Sequence, residues 1–348
     1  MHQKRSQWAS NVGFILAAAG SAVGLGNIWK FPGKVGAYGG GAFILCYIII
    51  VALIGFPVML AELSIGRRTQ KNVIGAFRQL DKRFTFVGGI GVLTLFVIMS
   101  YYSIVGGWVM KYIWVYASGA HFGAAANPYQ TYFADFIAKP VEPLLWGAAF
   151  LLLCIYVVVK GVSSGIERVS KVLMPALFLL LLACVIRAVT LPGAKEGLTF
   201  MLTIRPESFN GNTLVGALGQ AFFSLSVGMG IMVTYGSYVP KDDHLVKSAV
   251  SICALDTMVA ILAAFAIIGC VCHAGGGRTG NGRRLCLHAL PEVFAGFPGG
   301  KLFGLVFFIL LFFAALTSAI SILESCVAFI SEEFHFSRLN PRLSYRCR

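Results

Sequence analysis

Apolar residues in this chain gather in long runs separated by short polar and charged stretches. Eight runs are long enough to cross a bilayer as helices, at about 11–36, 41–66, 86–116, 144–160, 166–189, 213–238, 247–273 and 302–331. The first run is interrupted. Its middle reads Gly20, Ser21, Ala22, Val23, Gly24, Leu25, Gly26, Asn27, then Ile28, Trp29, Lys30, Phe31 and Pro32. Each glycine weakens a helix by about 1 kcal/mol relative to alanine. In hydrocarbon, unwound backbone survives only where protein, water or a ligand supplies hydrogen-bond partners. A glycine-rich break at membrane depth therefore predicts a binding site. The sixth run carries a second break, Ser224 to Gly230, in which Val227-Gly228-Met229-Gly230 echoes Val23-Gly24-Leu25-Gly26. Paired interrupted helices five spans apart point to a midplane site in a secondary transporter.

Composition agrees with the pattern. The 348 residues are 57% hydrophobic and 12% charged, and mean hydropathy is +0.80. That is too apolar for a soluble domain of this length. The net charge of +14 reads as inner-loop lysine and arginine rather than as a nucleic-acid surface. Lys4, Arg5, Arg67, Arg68, Lys71, Arg78, Lys82, Arg83, Lys160, Arg168 and Lys171 all fall on one side when both termini are placed inside. The first run is too long for a cleaved leader and reads as a retained span. The segment 117–143 suits a short surface helix.

Few residues can carry chemistry. Glu62, Asp256 and Glu324 are the carboxylates inside spans, with Lys111 and Arg187 nearer span ends. Glu62 reads equally well as structural, bonding backbone freed by the breaks. Asp256, alone among hydrophobic residues, suggests a cation. Ala314, Thr317, Ser318 and Ser321 read alone as close helix packing. With carbonyls from an unwound helix, the Thr317 and Ser318 hydroxyls would give a hard cation an uncharged oxygen shell. Tyr101-Tyr102 and Phe222-Phe223 read as packing more readily than as gates. Cys270, Cys272, His273, Cys286 and His288 match no closed zinc framework. No phosphate loop and no nucleophile–base pair supports an enzyme, and a channel would want a continuous polar pore.

Four separated motifs resemble signatures of the neurotransmitter:sodium symporter family, bacterial amino-acid branch. They are Ser21 to Pro32, Gly39-Gly40-Gly41-Ala42-Phe43, Gln220 to Ser226, and Phe313-Ala314-Ala315-Leu316-Thr317-Ser318. The resemblance covers roughly 5–268 and 289–337. It implies an all-α polytopic fold of two inverted five-helix repeats with broken helices 1 and 6. It implies no organic cofactor and two sodium sites. The first would use Ala22, Asn27, Ser224 and Asp256. The second would use Gly20, Val23, Ala314, Thr317 and Ser318. The substrate pocket would draw on Ser21, Ala22, Leu25, Gly26, Ile98, Tyr102, Phe223, Ser224, Ser226, Met229, Ser318 and Ile322. Arg5 and Trp8 would close the inner side with Ser237, Tyr238 and Glu332, and Lys30 would serve the outer side. The implied activity is sodium-coupled symport of a neutral, hydrophobic or aromatic amino acid across the cytoplasmic membrane by alternating access.

The chain departs from the family pattern in places. Lys30 stands where the family has arginine, which removes a bidentate fork. Residues 269–288 do not resemble the family's outer loop and put Arg278, Arg283 and Arg284 outside. One transmembrane domain is expected over 1–338, with a first repeat at about 11–189 and an incomplete second at about 213–331. Residues 339–348 are expected to be an unrelated tail. About eight of the usual twelve spans are expected, as if the chain were truncated after the eighth helix, and both departures read as changes of reading frame. The alternative reading is a fragment of such a symporter that does not transport.

Overall fold

The computed structural model describes residues 6–119, 128–191, 194–273, 287, 290–296 and 299–334. The described residues form helices and no strand. The first span divides into α1 (Asn11–Ala22) and, after a gap, a π turn at Gly26–Lys30 that runs into α2 (Phe31–Ala37). The two halves are bent by 45°. Ser10 starts α1 by accepting the Gly13 N–H at 3.0 Å. The second span joins α3 (Gly41–Ile50) to α4 (Phe56–Thr69) through a π turn at Val51–Gly55. The amphipathic α5 (Val73–Leu80) follows, capped by Asn72.

Then come α6 (Thr85–Ser118), α7 (Pro128–Ala138) and α8 (Glu142–Val159). The helix expected in segment 117–143 is α7. A π turn at Val162–Glu167 leads into α9 (Arg168–Val189), and α10 (Ala194–Leu202) is short. The remaining helices are α11 (Gly211–Ser224), α12 (Ile231–Gly236), α13 (Leu245–His273), α14 (Leu290–Ala295) and α15 (Gly300–Glu333).

Among the described residues, six helices are long and apolar enough to cross a membrane, or seven spans when the bent first pair is counted as one. The span 213–238 is broken as expected, into two short helices, α11 and α12. Neither reaches crossing length alone, because the glycine-rich segment between them is not helical. Gly228 and Gly230 have φ of +84° and +86° there, which suits residues without a Cβ.

Burial sorts the helices into layers. In α15, 72% of the apolar window is buried, against 28% in α6. So α15 is central, and the outward faces of the other long helices remain apolar, as lipid requires. Leu53, Leu145, Leu152 and Leu179 are among these exposed side chains. Small residues let helices touch backbone to backbone. A Cβ on Gly66 of α4 would come within 2.0 Å of the Val233 carbonyl oxygen on α12. A Cβ on Gly107 of α6 would lie 2.4 Å from the Gly147 nitrogen on α8.

This contact yields a prediction. Gly107→Val must part α6 from α8 and should cost about 1–3 kcal/mol or more, lowering the thermal midpoint of the purified protein. Gly89→Ala, where a Cβ meets nothing within 4 Å, should leave the midpoint unchanged or slightly raised. Equal effects from both substitutions would contradict the close-packed α6–α8 crossing.

Candidate functional site

The two breaks face each other. α1 ends at Ala22, and the Val23 N–H closes its last turn on the Ala19 carbonyl at 2.6 Å. Asn27 then bridges three elements. Its Oδ1 accepts the Gly24 N–H at 3.2 Å, and its Nδ2 donates to the Asp256 carboxylate at 2.7 Å and to the Asp256 carbonyl at 3.2 Å. Asp256, on α13, is fully buried. Its carboxylate also accepts from the Ser224 hydroxyl, at 3.0 and 2.9 Å, and from the Tyr47 hydroxyl at 3.0 Å. Helices α3, α11 and α13 and the first break thus converge on one buried anion. Buried charge persists only with such partners. Ala22 lies within the same break and is buried.

The second oxygen cluster lies between α1 and α15. The Ser318 hydroxyl sits 3.0 Å from the Ser21 carbonyl and 3.4 Å from that of Gly20. The Thr317 hydroxyl reaches the Ala314 carbonyl at 3.2 Å and the Phe313 carbonyl at 3.0 Å. Gly20 packs against Thr317, since a Cβ there would lie 3.2 Å from the Thr317 Cβ. Val23 caps the same end of α1 and is buried.

Between these clusters lies a small cavity. Ser21, Ala22, Gly26, Ile98, Tyr102, Phe223, Ser226, Met229, Ser318 and Ile322 line it, as do Gly24 and Ile231. Two residues assigned to the pocket from sequence do not line it. Leu25 contributes its N–H, 3.5 Å from the Tyr102 hydroxyl oxygen, and Ser224 turns toward Asp256. Gly24 has no room for a side chain. A Cβ there would approach the Ser318 hydroxyl to 2.4 Å and the Tyr102 hydroxyl to 3.2 Å. Ser21 Oγ is buried without a hydrogen-bond partner, so the cavity wall holds an unused donor.

Side chains from the second break stitch it to the first. Ser226, at φ +54°, donates to the Ser21 carbonyl at 3.0 Å. Gln220 donates to the Gly26 carbonyl at 3.0 Å. Glu62 accepts the Gly228 N–H at 2.6 Å, which favours its structural reading. The Lys30 ammonium stands 4.2 Å from the ring centre of Phe223, at one rim of the cavity.

At the opposite end of the bundle, Trp8 is buried. Its N–H donates to the Tyr238 carbonyl at 3.2 Å, and its indole N–H donates to the Tyr235 carbonyl at 3.1 Å. The Trp8 ring also packs edge-on against that of Tyr238, at 6.1 Å between centroids, and the expected gate partners make further bonds. The Tyr238 hydroxyl donates to Glu324 at 2.6 Å, Ser237 donates to the Thr234 carbonyl, and Glu332 accepts the backbone and side-chain N–H groups of Asn72 at 2.7 and 3.1 Å. Arg5 lies outside the described residues, as do Cys286, His288 and the segment 339–348. Among the described residues no group of three His, Cys, Asp or Glu side chains can hold a metal ion.

Tyr47 and Gln220 are site residues to which sequence reasoning gave no role. Tyr47 and Gln220 stand in apolar helices with no local sign of what they face.

A membrane-embedded bundle with two broken helices facing each other around a small cavity defines a solute transporter. The chain belongs to the sodium:neurotransmitter symporter family, which matches residues 5–125 and 140–345. This is a family of sodium-coupled transporters, not of enzymes. An uncharacterized sodium-dependent transporter of Bacillus subtilis, YhdH, is 44% identical over 95% of this chain and 73% of its own length. A second uncharacterized sodium-dependent transporter, from Haemophilus influenzae, is 36% identical over 97% of this chain and 76% of its own. The crystal structure of MhsT in complex with L-phenylalanine superposes with a TM-score of 0.89 at 45% identity, covering 96% of this chain and 76% of that one.

The Asp256 cluster makes a stability prediction. Asp256→Ala leaves the Tyr47 and Ser224 donors without their acceptor, at about 1–3 kcal/mol each, while Asn27 keeps only the residue-256 carbonyl. Asp256→Asn keeps one acceptor oxygen and should lose less. Thermal unfolding of both variants checks this, and an Asp256→Ala protein as stable as the parent would contradict the convergence on this carboxylate.

Proposed function

We propose that the chain is one transmembrane transporter domain that moves a neutral, hydrophobic or aromatic amino acid with sodium across the cytoplasmic membrane. The observation that carries this reading is the cavity between the breaks, walled by Ile98, Met229, Ile231 and Ile322 and bounded on one side by the backbone of the first break at Ser21, Ala22, Gly24 and Gly26. The π turn at Gly26–Lys30 begins beside the cavity, so its positive dipole end suits a carboxylate. The Tyr102 hydroxyl adds a donor, and Phe223 covers the space. MhsT, a similar protein, is solved with L-phenylalanine.

Sodium is cargo in this reading, with two sites. Ala22, Asn27, Ser224 and Asp256, joined by the ligand carboxylate, hold the first ion. Gly20, Val23, Ala314, Thr317 and Ser318 hold the second. Asp256 supplies a fixed negative charge against the first ion. Sodium at both sites ties α1 to α13 and α15 and completes the ligand pocket. Both termini lie in the cytoplasm. The halves at about 11–189 and 213–331 rock against each other, and the Trp8 end parts to release ligand inward.

Gly24 makes the carboxylate obligatory. No side chain fits there to meet a ligand amine, so the ligand brings its own anion. A decarboxylated ligand leaves donors and a cation unpaired, at a cost of at least about 1–3 kcal/mol per donor. In a competition assay against labelled phenylalanine, leucine should inhibit and isoamylamine should not. Comparable inhibition by the amine would overturn the carboxylate assignment.

A further inference from the structure

The chain entering α1 is fastened by a carboxylate that belongs to neither the cavity nor the Trp8 seat. Glu167 closes the π turn at Val162–Glu167 that leads into α9, and it is 1% exposed. Its Oε2 accepts the Ala9 N–H at 2.6 Å, and its Oε1 accepts the Ser10 hydroxyl at 2.8 Å. The Lys171 ammonium lies 2.7 Å from Oε1. Ser10 is also the cap of α1, so the anion rests at the helix end where N–H groups point outward and the dipole favours negative charge. Gly13 leaves the necessary room, because a Cβ there would stand 2.0 Å from Oε1.

The same short segment is held elsewhere by Trp8 to the Tyr235 and Tyr238 carbonyls and by Asn11 to Asp243 at 2.7 Å and Ser248 at 3.2 Å. Those partners lie on α12, on α13 and on the stretch joining them. Glu167 is the anchor on the α9 span. Its two kinds of partner differ in kind. Ala9 and Ser10 are distant in sequence, whereas Lys171 is one turn along the same helix and stays with Glu167 whatever α1 does. A buried carboxylate that lost every partner would be strongly disfavoured. With Lys171 in place, Glu167 can release α1 and keep a counter-charge.

We propose that Glu167 is a positioning residue that latches the start of α1 to the α9 span, with Lys171 holding its charge when Ala9 and Ser10 leave. Its consequence for transport rests on the alternating-access reading, because freeing this end of α1 is what opens the Trp8 side. The bonds themselves are testable without transport.

Hydrogen–deuterium exchange of the full chain in lipid nanodiscs, without added substrate, reads the latch directly. In the parent, amides of residues 8–14 should exchange slowly. Glu167→Ala should speed their exchange by about tenfold or more, the worth of one lost charge-assisted hydrogen bond, with α6 and α8 unchanged. Glu167→Gln keeps the shape and one acceptor oxygen, guards against misfolding of the alanine variant, and should still give about threefold or more. Parent-like exchange at 8–14 in these variants, or equal acceleration in α6 and α8, would overturn the latch. Neither result depends on whether the chain carries amino acids, so failure of the latch and failure of the symport reading are distinguishable.

Discussion

Backbone freed inside an apolar bundle must find partners, and this constraint organises the molecule. Two helices are broken at the same level, and each gap is satisfied largely by side chains from elsewhere. Ser226 and Ser318 cover the Ser21 carbonyl, Gln220 covers that of Gly26, and Glu62 covers the N–H of Gly228. Asn27 serves Gly24 within its own break and hands the connection on to Asp256. These bonds hold the breaks open in register, and the polar level they create is where a small polar solute can sit in an otherwise apolar structure.

The packing around that level is asymmetric in a useful way. α4 and α12 meet without side chains between them, at Gly66 against Val233 and at Gly236 against Leu63. Such contacts leave little freedom for sliding. The segment before α1 is held instead by discrete hydrogen bonds to Tyr235, Tyr238, Asp243 and Glu167. Bonds of that kind break and reform as units, which is what the proposed latch requires of this end of the bundle while the glycine seams stay fixed.

Much of this was legible in the chain. Runs of apolar residues predicted the long helices to within a few positions, because hydrocarbon sets both their composition and their length. The glycines at 24 and 26 and at 228 and 230 marked the breaks, because glycines so closely spaced weaken a helix locally, whereas Gly20 stays inside α1. The contents of the site were less legible where a residue's role depends on what it faces. Tyr47 meets Asp256 across more than 200 positions of sequence, and in its own helix it looks like any packing aromatic. Tyr238 pairs with Glu324, and Glu332 with Asn72, for the same reason. Glu167 lies at a helix start, where an acid needs no special explanation until Ala9 and Ser10 are seen on it.

The central claim is that the facing breaks assemble a sodium-dependent amino-acid site. Equilibrium binding of tritiated phenylalanine to the purified chain, with sodium titrated against potassium at constant ionic strength, tests it most directly. The account predicts saturable binding that rises with more than first-order dependence on sodium and vanishes in potassium. Equal binding in the two salts would contradict it.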